Sequence, residues 1–200
     1  MSEGQAHYFR TPDGAADPRS VRVSLAGRDV EVETSAGVFS AERLDLGTRV
    51  LLREVPAPPA SGDLLDLGCG WGPLALTMGM LAPAAGVWAV DVNDRALELT
   101  ARNAARLGVP NVRTARPGDV PDDVRFAAIW SNPPIRVGKA ELHAMLLRWL
   151  PRLTDAGSAW LVVQRNLGAD SLHAWLRDHL DADVVRAGSA KGYRVLRVGR

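Results

Sequence analysis

From residue 63 onwards the chain alternates short apolar runs with longer stretches of helical periodicity, and this alternation constrains the fold more than any other feature. Short apolar runs separated by helix-length segments are typical of strand–helix–strand units in a parallel sheet. The predicted strands cover residues 63–67, 86–90, 111–115, 126–130, 158–163, 182–186 and 193–198. The predicted helices cover residues 73–81, 94–107, 139–150 and 170–180. The sequence therefore predicts an α/β fold with a mostly parallel seven-stranded sheet and helices on both faces.

The residues that precede this alternation predict a smaller extension. Residues 21–25 and 30–33 alternate in polarity around Gly27-Arg28-Asp29, which indicates a short β-hairpin. Residues 41–55 have loosely helical spacing, and a stiff Pro-rich connector at 56–62 follows. We expect residues 1–62 to form an amino-terminal extension and cap, and residues 63–200 to form the main domain.

The charge balance limits how this protein can bind nucleic acid or membranes. With 24 basic and 23 acidic residues the formal net charge is +1, so any basic surface has to be local. Residues 71–90 carry no charge over the length of a membrane span, but prolines and glycines interrupt them. A helix, a turn and a buried strand are the better interpretation. We expect no membrane partner.

Cysteine and histidine usage argues against disulfides and metal. The only cysteine, Cys69, excludes an intramolecular disulfide framework and fits a reducing cytoplasm, as does a polar amino terminus without a signal peptide. The four histidines show no metal-ligand spacing. We therefore expect a cytoplasmic protein without a metal and without a disulfide-linked partner.

A glycine-rich turn is the most informative motif. After the strand at 63–67, glycines occupy alternate positions at 68, 70 and 72, and Pro73 suits the first turn of a helix. Glycines at such a turn allow a sharp bend and close approach of a ligand to the main chain. On its own the pattern also fits a tight turn that binds nothing.

Asp91 strengthens the case for a ligand. It closes the next predicted strand, 19 residues after Gly72, near the separation at which an acid reaches a ribose diol. The GxGxG spacing is not the one that pyrophosphate cofactors favour, and Asp66 before the turn suits a positively charged ligand. S-adenosylmethionine, with its ammonium and sulfonium, has these properties. Asp119, after the third strand, is a candidate for the adenine amino group.

A second motif, Asn132-Pro133-Pro134, follows the strand at 126–130. Consecutive prolines cannot continue a sheet, so the chain leaves the strand in a rigid turn where parallel sheets present their active sites. An ordinary strand-ending turn is the alternative, which the glycine turn on the first strand of the sheet makes less attractive.

With these motifs the sequence resembles class I S-adenosylmethionine-dependent methyltransferases that modify exocyclic or amide nitrogens, and within them the small-subunit (16S) ribosomal RNA guanine-N2 methyltransferases. The matching segments are 7–9, 37–40, 44–48, 66–72, 91–93 with 96–97, 132–136 with 138–139, and 191–193. The likeness covers the catalytic half of the larger two-domain members. It implies a Rossmann-like class I methyltransferase fold and the conversion of S-adenosylmethionine to S-adenosylhomocysteine.

The resemblance also implies roles for individual residues and a partner, ribosomal RNA or the small ribosomal subunit. The side-chain oxygen of Asn132 and the carbonyl of Pro133 would accept hydrogen bonds from the target amine, and an apolar Ile135 leans toward guanine N2. The predicted catalytic residues are Asn132, Pro133 and Pro134. The predicted cofactor-binding residues are Asp66, Gly68, Cys69, Gly70, Gly72, Asp91, Val92, Asn93, Asp119 and Val120. The predicted substrate-binding residues are Phe39, Ile135, Arg136 and Lys139, with Phe39 stacking on an extruded base.

Other functions compete with this one. A methyltransferase of the same branch could act on a small molecule or a protein amide. A nucleotide-binding regulatory module without catalysis would not need the acceptor pair at the Asn-Pro-Pro turn, and glycine spacing with Asp66 disfavours NAD-dependent oxidoreduction. Cys69 is a candidate nucleophile only in principle, because no base candidate lies near it in the sequence.

Overall fold

The computed structural model describes residues 18–36, 38, 44–135 and 138–199. The strands are β1 Arg19–Leu25, β2 Arg28–Thr34, β3 Asp63–Leu67, β4 Gly86–Val90, β5 Val112–Ala115, β6 Phe126–Ser131, β7 Leu153–Gln164, β8 Asp183–Ala190 and β9 Tyr193–Gly199. The α-helices are α1 Leu46–Glu54, α2 Pro73–Leu81, α3 Asp94–Leu107, α4 Lys139–Trp149 and α5 Ala169–His179.

Seven strands form one sheet in the order β5-β4-β3-β6-β7-β9-β8. The five strands from β5 to β7 are parallel, whereas β9 pairs antiparallel with both β7 and β8. Strands β1 and β2 form a separate antiparallel hairpin. The predicted α/β fold, with a mostly parallel seven-stranded sheet after an amino-terminal hairpin, is confirmed.

Alternate side chains of the central strands feed two apolar clusters, because successive residues of a strand point to opposite faces. Leu65 packs in the cluster that contains α4 and α5 residues, and Leu64 packs in the cluster that contains α1 and α2 residues. Strand β3 is thus buried on both faces, as expected for the centre of a parallel sheet. Helices therefore cover both faces, as predicted.

The hairpin lies against the outer side of α2 and α3. Val23, Leu25 and Val32 share a third apolar cluster with Leu76 and Leu99. The prediction that residues 1–62 form a cap distinct from 63–200 stays a prediction.

Several predicted boundaries are wrong by a few residues, for reasons of pairing and capping. The hairpin turns at Ala26 and Gly27 rather than around residues 27–29, and both turn residues have positive φ. A two-residue turn with positive φ at both positions is favoured because its twist matches that of the two strands. The helix predicted over 41–55 covers Leu46–Glu54, since Asp45 caps it. Antiparallel pairing with β9 extends β7 to Gln164 and β8 to Ala190, beyond their apolar runs. The early start of β7 has another cause, since Leu153 pairs with Phe126 of β6.

The charge-free run at 71–90 is a short helix and a strand. It contains α2 and β4, joined by a turn, as the sequence predicts. In the described part of the chain no helix is both long and apolar enough to cross a membrane.

Candidate active site

The glycine turn between β3 and α2 is shaped by hydrogen bonds to the neighbouring strand. The amides of Gly68 and Cys69 donate to the carbonyl of Val90, the last residue of β4, at 2.8 and 3.1 Å. Gly68 and Gly70 both have positive φ, which favours glycine over residues with a Cβ. The turn is therefore fixed against the end of β4, beside Asp91.

Gly72 lets α3 approach the turn. A Cβ at this position would lie 2.8 Å from Cγ2 of Thr100, and its φ of +94° is left-handed. Thr100 itself donates through Oγ1 to the carbonyl of Gly70 at 3.0 Å. The third glycine is thus required for helix packing, and it does not line the main cleft.

Both oxygens of Asp91 accept backbone hydrogen bonds, and one of these bonds comes from the glycine turn. Oδ2 accepts from the amide of Gly70 at 3.0 Å, and Oδ1 accepts from the amide of Asn93 at 2.9 Å. Burial raises the pKa of Asp91, and the backbone hydrogen bonds oppose that rise. The carboxylate is held in one orientation at the cleft wall.

Asp66 lies beneath the turn rather than in the cleft wall. It is fully buried, and its Oδ2 accepts from the amide of Ala75 in the first turn of α2 at 2.9 Å. Its Oδ1 has no hydrogen-bond partner among the described residues. Burial, with a further contribution from the charge of Asp91, raises the pKa of Asp66 to about 8. Any influence of Asp66 on a ligand has to act through the turn or through this free oxygen.

Cys69 is a buried thiol, and two carboxyl groups, Asp66 and Asp91, lie near it. Burial and the nearby Asp91 and Asp66 charges raise its pKa well above the usual value, while Thr100 contacts its sulfur at 3.6 Å. A protonated, enclosed thiol is a poor nucleophile. The structure supports the interpretation of Cys69 as a small residue that fills the turn.

The Asn-Pro-Pro turn begins at the end of β6 and faces the glycine turn across the sheet edge. Ser131 donates through Oγ to the carbonyl of Leu67 at 2.6 Å, which ties the end of β6 to the end of β3. The side-chain nitrogen of Asn132 donates to Oδ2 of Asp45 at 2.8 Å and to Oγ1 of Thr48 at 3.1 Å. Both partners belong to the amino-terminal end of α1.

A cleft of about 680 Å³ joins the two turns at the carboxyl edge of the sheet. The predicted site residues that line it are Gly68, Gly70, Asp91, Val92, Asn93, Asn132, Pro133, Pro134 and Ile135. Binding sites in open parallel sheets are expected at this edge. The structure therefore brings the core of the predicted cofactor and catalytic residues into one space.

Other predicted residues lie elsewhere. The cleft wall does not include Asp66, Cys69, Gly72, Asp119, Val120 or Lys139. Asp119 is exposed in the turn after β5, whereas Val120 is buried in the core. Lys139 is exposed at the start of α4. Phe39 and Arg136 are outside the described residues, and so is the segment 7–9.

Sequence reasoning missed several residues of the wall. These are chiefly Asp45, Glu141, Met145, Arg148, Gln164 and Tyr193. The segments 44–48 and 191–193 were part of the resemblance, but nothing in them assigned a role to Asp45 or Tyr193. The α4 residues share one helix face, and which face meets the cleft follows only from the tertiary fold.

Comparison with known proteins gives three findings. Residues 29–197 match the model of the methyltransferase small domain family. The chain is 32% identical over 201 residues to the uncharacterized protein YbxB of Bacillus subtilis (strain 168), covering 98% of each chain. It is 32% identical over 169 residues to ribosomal RNA large subunit methyltransferase G of Streptomyces avermitilis, covering 81% of this chain and 42% of that protein.

Solved structures are also similar to this chain, one of them with a high TM-score over nearly its whole length. It is the 16S rRNA N2 G1207 methyltransferase of T. thermophilus, in complex with AdoMet and guanosine, with a TM-score of 0.80, 21% identity and coverage of 94% of this chain and 52% of that chain. This likeness confirms the predicted Rossmann-like class I methyltransferase fold. The present chain spans about half the length of these two ribosomal RNA methyltransferases.

Proposed function

Because the chain belongs to the methyltransferase small domain family and is on that ground an S-adenosylmethionine-dependent methyltransferase, we propose that it methylates an exocyclic amino nitrogen of ribosomal RNA. The preferred target in this proposal is N2 of guanine in the small-subunit (16S) RNA. Two of the proteins named above are by name methyltransferases of large-subunit and 16S ribosomal RNA, whereas YbxB is uncharacterized. The observation that carries the proposal is the single cleft lined by both the glycine turn and the Asn132-Pro133-Pro134 turn.

The residues around the glycine turn fit S-adenosylmethionine. The two cleft-lining glycines leave space that a Cβ would fill, since the nearest atoms to such a Cβ at Gly68 and Gly70 are 3.8 and 4.0 Å away. Asp91 offers fixed carboxylate oxygens that suit a ribose diol. Val92, 41% exposed, adds an apolar surface beside it. The buried Oδ1 of Asp66 has no partner among the described residues, and a cationic ligand bound nearby would favour the ionised form of this carboxyl group.

The Asn-Pro-Pro turn supplies the acceptors for an amine. When bound, S-adenosylmethionine supplies an electrophilic methyl group on its sulfonium. The side-chain oxygen of Asn132 and the carbonyl of Pro133 accept hydrogen bonds from the amine, which favours a pyramidal, more nucleophilic nitrogen in line for attack. Pro133 and Pro134 keep those acceptors rigid. No base is needed before attack, because the amine proton becomes acidic only as the methyl group transfers.

The choice of a guanine in RNA is the finer part of the proposal. Ile135 lines the cleft directly after the prolines and gives the base an apolar neighbour. In this proposal Phe39 stacks on the extruded base, and Arg136 and Lys139 contact phosphates. Because the net charge is only +1, the surface that binds RNA has to be local, and these few contacts agree with that. The ribosomal partner belongs to the same proposal.

Methyl mapping tests this function. The purified protein is incubated with methyl-labelled S-adenosylmethionine in four parallel reactions, which contain 16S RNA, 23S RNA, intact small subunits or intact large subunits. The RNA and the subunits come from cells that lack this protein. Digestion to nucleosides then identifies the product. Label in N2-methylguanosine of the small subunit is the expected result. Label in another base or in the large subunit would overturn the finer proposal, and label only in protein or in small molecules would overturn the RNA assignment.

A further inference from the structure

The two amide protons of Asn132 have different kinds of partner. Nδ2 donates to Oδ2 of Asp45 at 2.8 Å and to Oγ1 of Thr48 at 3.1 Å. A carboxylate without a proton accepts only, whereas a hydroxyl both donates and accepts. Thr48 therefore tolerates either orientation of the amide, and Asp45 tolerates only the one in which nitrogen faces it.

The opposite orientation of the amide is unfavourable on both sides. A half-turn about the last side-chain bond would place the Asn132 oxygen where its nitrogen now lies, 2.8 Å from an oxygen of Asp45. The amide nitrogen would then face the cleft, and a donor would meet the N–H groups of an amine. Both contacts lack a hydrogen bond, so the amide of Asn132 has one productive orientation.

The local fold brings Asp45 close enough to act in this way. The same Oδ2 atom accepts from the amide of Thr48 at 3.1 Å and so caps α1. Gly47 has no side chain at the point where these groups converge: a Cβ there would lie 2.9 Å from Oδ2 of Asp45, 2.9 Å from Cε1 of Tyr193 and 3.3 Å from Nδ2 of Asn132. The Asp-Leu-Gly-Thr sequence thus packs the start of α1 directly against the Asn-Pro-Pro turn.

We propose that Asp45 is the positioning residue of the reaction: it holds the amide of Asn132 so that its oxygen faces the acceptor amine. The inference rests on the proposed function, because the substrate of that function provides the amine whose hydrogen bond the Asn132 oxygen accepts. Asp45 acts through geometry, and the essential property of residue 45 is an accepting oxygen at the Oδ2 position. A neutral residue that keeps this oxygen, such as asparagine, should therefore position Asn132 as aspartate does.

Three variants separate this role from helix capping. Asp45→Asn keeps an oxygen that can accept from both Asn132 and Thr48. Asp45→Ser keeps the helix cap, since serine is as good a capping residue, but is too short to reach Asn132. Thr48→Val removes the second acceptor and leaves Asp45 in place. Thermal unfolding verifies that each variant is folded.

The first readout is the side-chain amide of Asn132 in the ligand-free protein, followed by ¹⁵N NMR and assigned with Asn132→Ala. In the wild type and in Asp45→Asn we expect two resolved proton resonances that are protected from exchange with water. In Asp45→Ser we expect them to approach the shifts and exchange rates of a solvated amide. Unchanged resonances in Asp45→Ser would overturn the proposal, whatever the catalytic activity.

The second readout is the single-turnover rate of methyl transfer. Asp45→Ser should be slower by roughly ten- to a hundredfold, whereas Asp45→Asn should stay within about fivefold of the wild type and Thr48→Val should lose less than Asp45→Ser. Adding Asp45→Ser to Asn132→Ala should cause little further loss, because Asp45 acts through Asn132. A further loss as large as in the single variant would overturn the positioning role. A wild type that transfers no methyl group would instead contradict the proposed function, and the amide resonances would still decide on Asp45.

Discussion

Replacing Asp66 with asparagine should remove a large pH dependence from the stability of the protein. Asp66 is fully buried, and its pKa of about 8 lies well above that of an aspartate in an unfolded chain. Between these two values the folded protein holds a proton that the unfolded chain has released. The contribution of Asp66 to stability is therefore largest at acidic pH and falls as the pH rises toward 8.

The size of the effect follows from proton linkage. One extra proton in the folded state lowers the free energy of unfolding by about 1.4 kcal/mol per pH unit. Between pH 5 and pH 7 the contribution of Asp66 amounts to about 2.5 kcal/mol. Asp66→Asn keeps a carbonyl oxygen for the amide of Ala75 but cannot ionise, so this contribution disappears.

Urea denaturation at half-unit steps from pH 5 to pH 7 measures the effect. The free energy of unfolding of Asp66→Asn, relative to the wild type, should rise by about 2.5 kcal/mol across this range. Asp155→Asn, which removes an exposed carboxyl group on β7, is the matched control and should give a constant difference. A constant difference for Asp66→Asn as well would show that Asp66 is ionised in the folded protein, and the reasoning about its burial would be wrong.

Four further substitutions test the cofactor site and the packing around it, with Gly108→Ala as the control for Gly72→Ala. Asp91→Ala should weaken binding of S-adenosylhomocysteine by about 2 to 3 kcal/mol in calorimetry, the loss of a charge-assisted hydrogen bond, and unchanged affinity would remove Asp91 from the cofactor site. Gly72→Ala should cost about 2 to 4 kcal/mol of stability in denaturant unfolding, because its Cβ would meet Thr100. Gly108→Ala, where φ is also positive but nothing lies within 4 Å, should cost only about 1 kcal/mol, and equal losses would refute the steric argument. Asn103→Ala should cost about 3 kcal/mol in the same assay, because this buried amide bonds both β2 and the glycine turn; a loss below about 1 kcal/mol would show that water replaces it.

The sequence predicted best those helices and strands whose boundaries are set by residues within or next to the element itself. Helix α3 begins and ends at the predicted residues, because Asn93 caps its start and Gly108, with a φ of +65°, ends it. Strands β3 and β4 also match, since both are short, largely buried and mainly apolar. The carboxyl ends of β7 and β8 depend on pairing with β9, which comes later in the chain, so the local sequence does not mark them.

The same distinction holds for the site. The glycine turn, Asp91 and the Asn-Pro-Pro turn are local motifs at strand ends, and the shared sheet edge brings them together. Asp45 contacts Asn132 across 87 residues of sequence, so no local pattern reveals its partner. Asp66 belongs to the predicted motif, but its place beneath the turn depends on the direction in which α2 leaves the sheet.

The central claim is that the oriented oxygen of Asn132 supports methyl transfer to an amine. The most direct measurement compares the wild type with Asn132→Ala in single turnover, with saturating S-adenosylmethionine and the RNA substrate found by methyl mapping. Binding of S-adenosylhomocysteine is measured by calorimetry on both proteins. We expect the rate to fall by about a hundredfold or more while cofactor affinity changes by less than about threefold, as for a group that acts mainly in the transition state. A variant that transfers the methyl group at the wild-type rate would contradict the account.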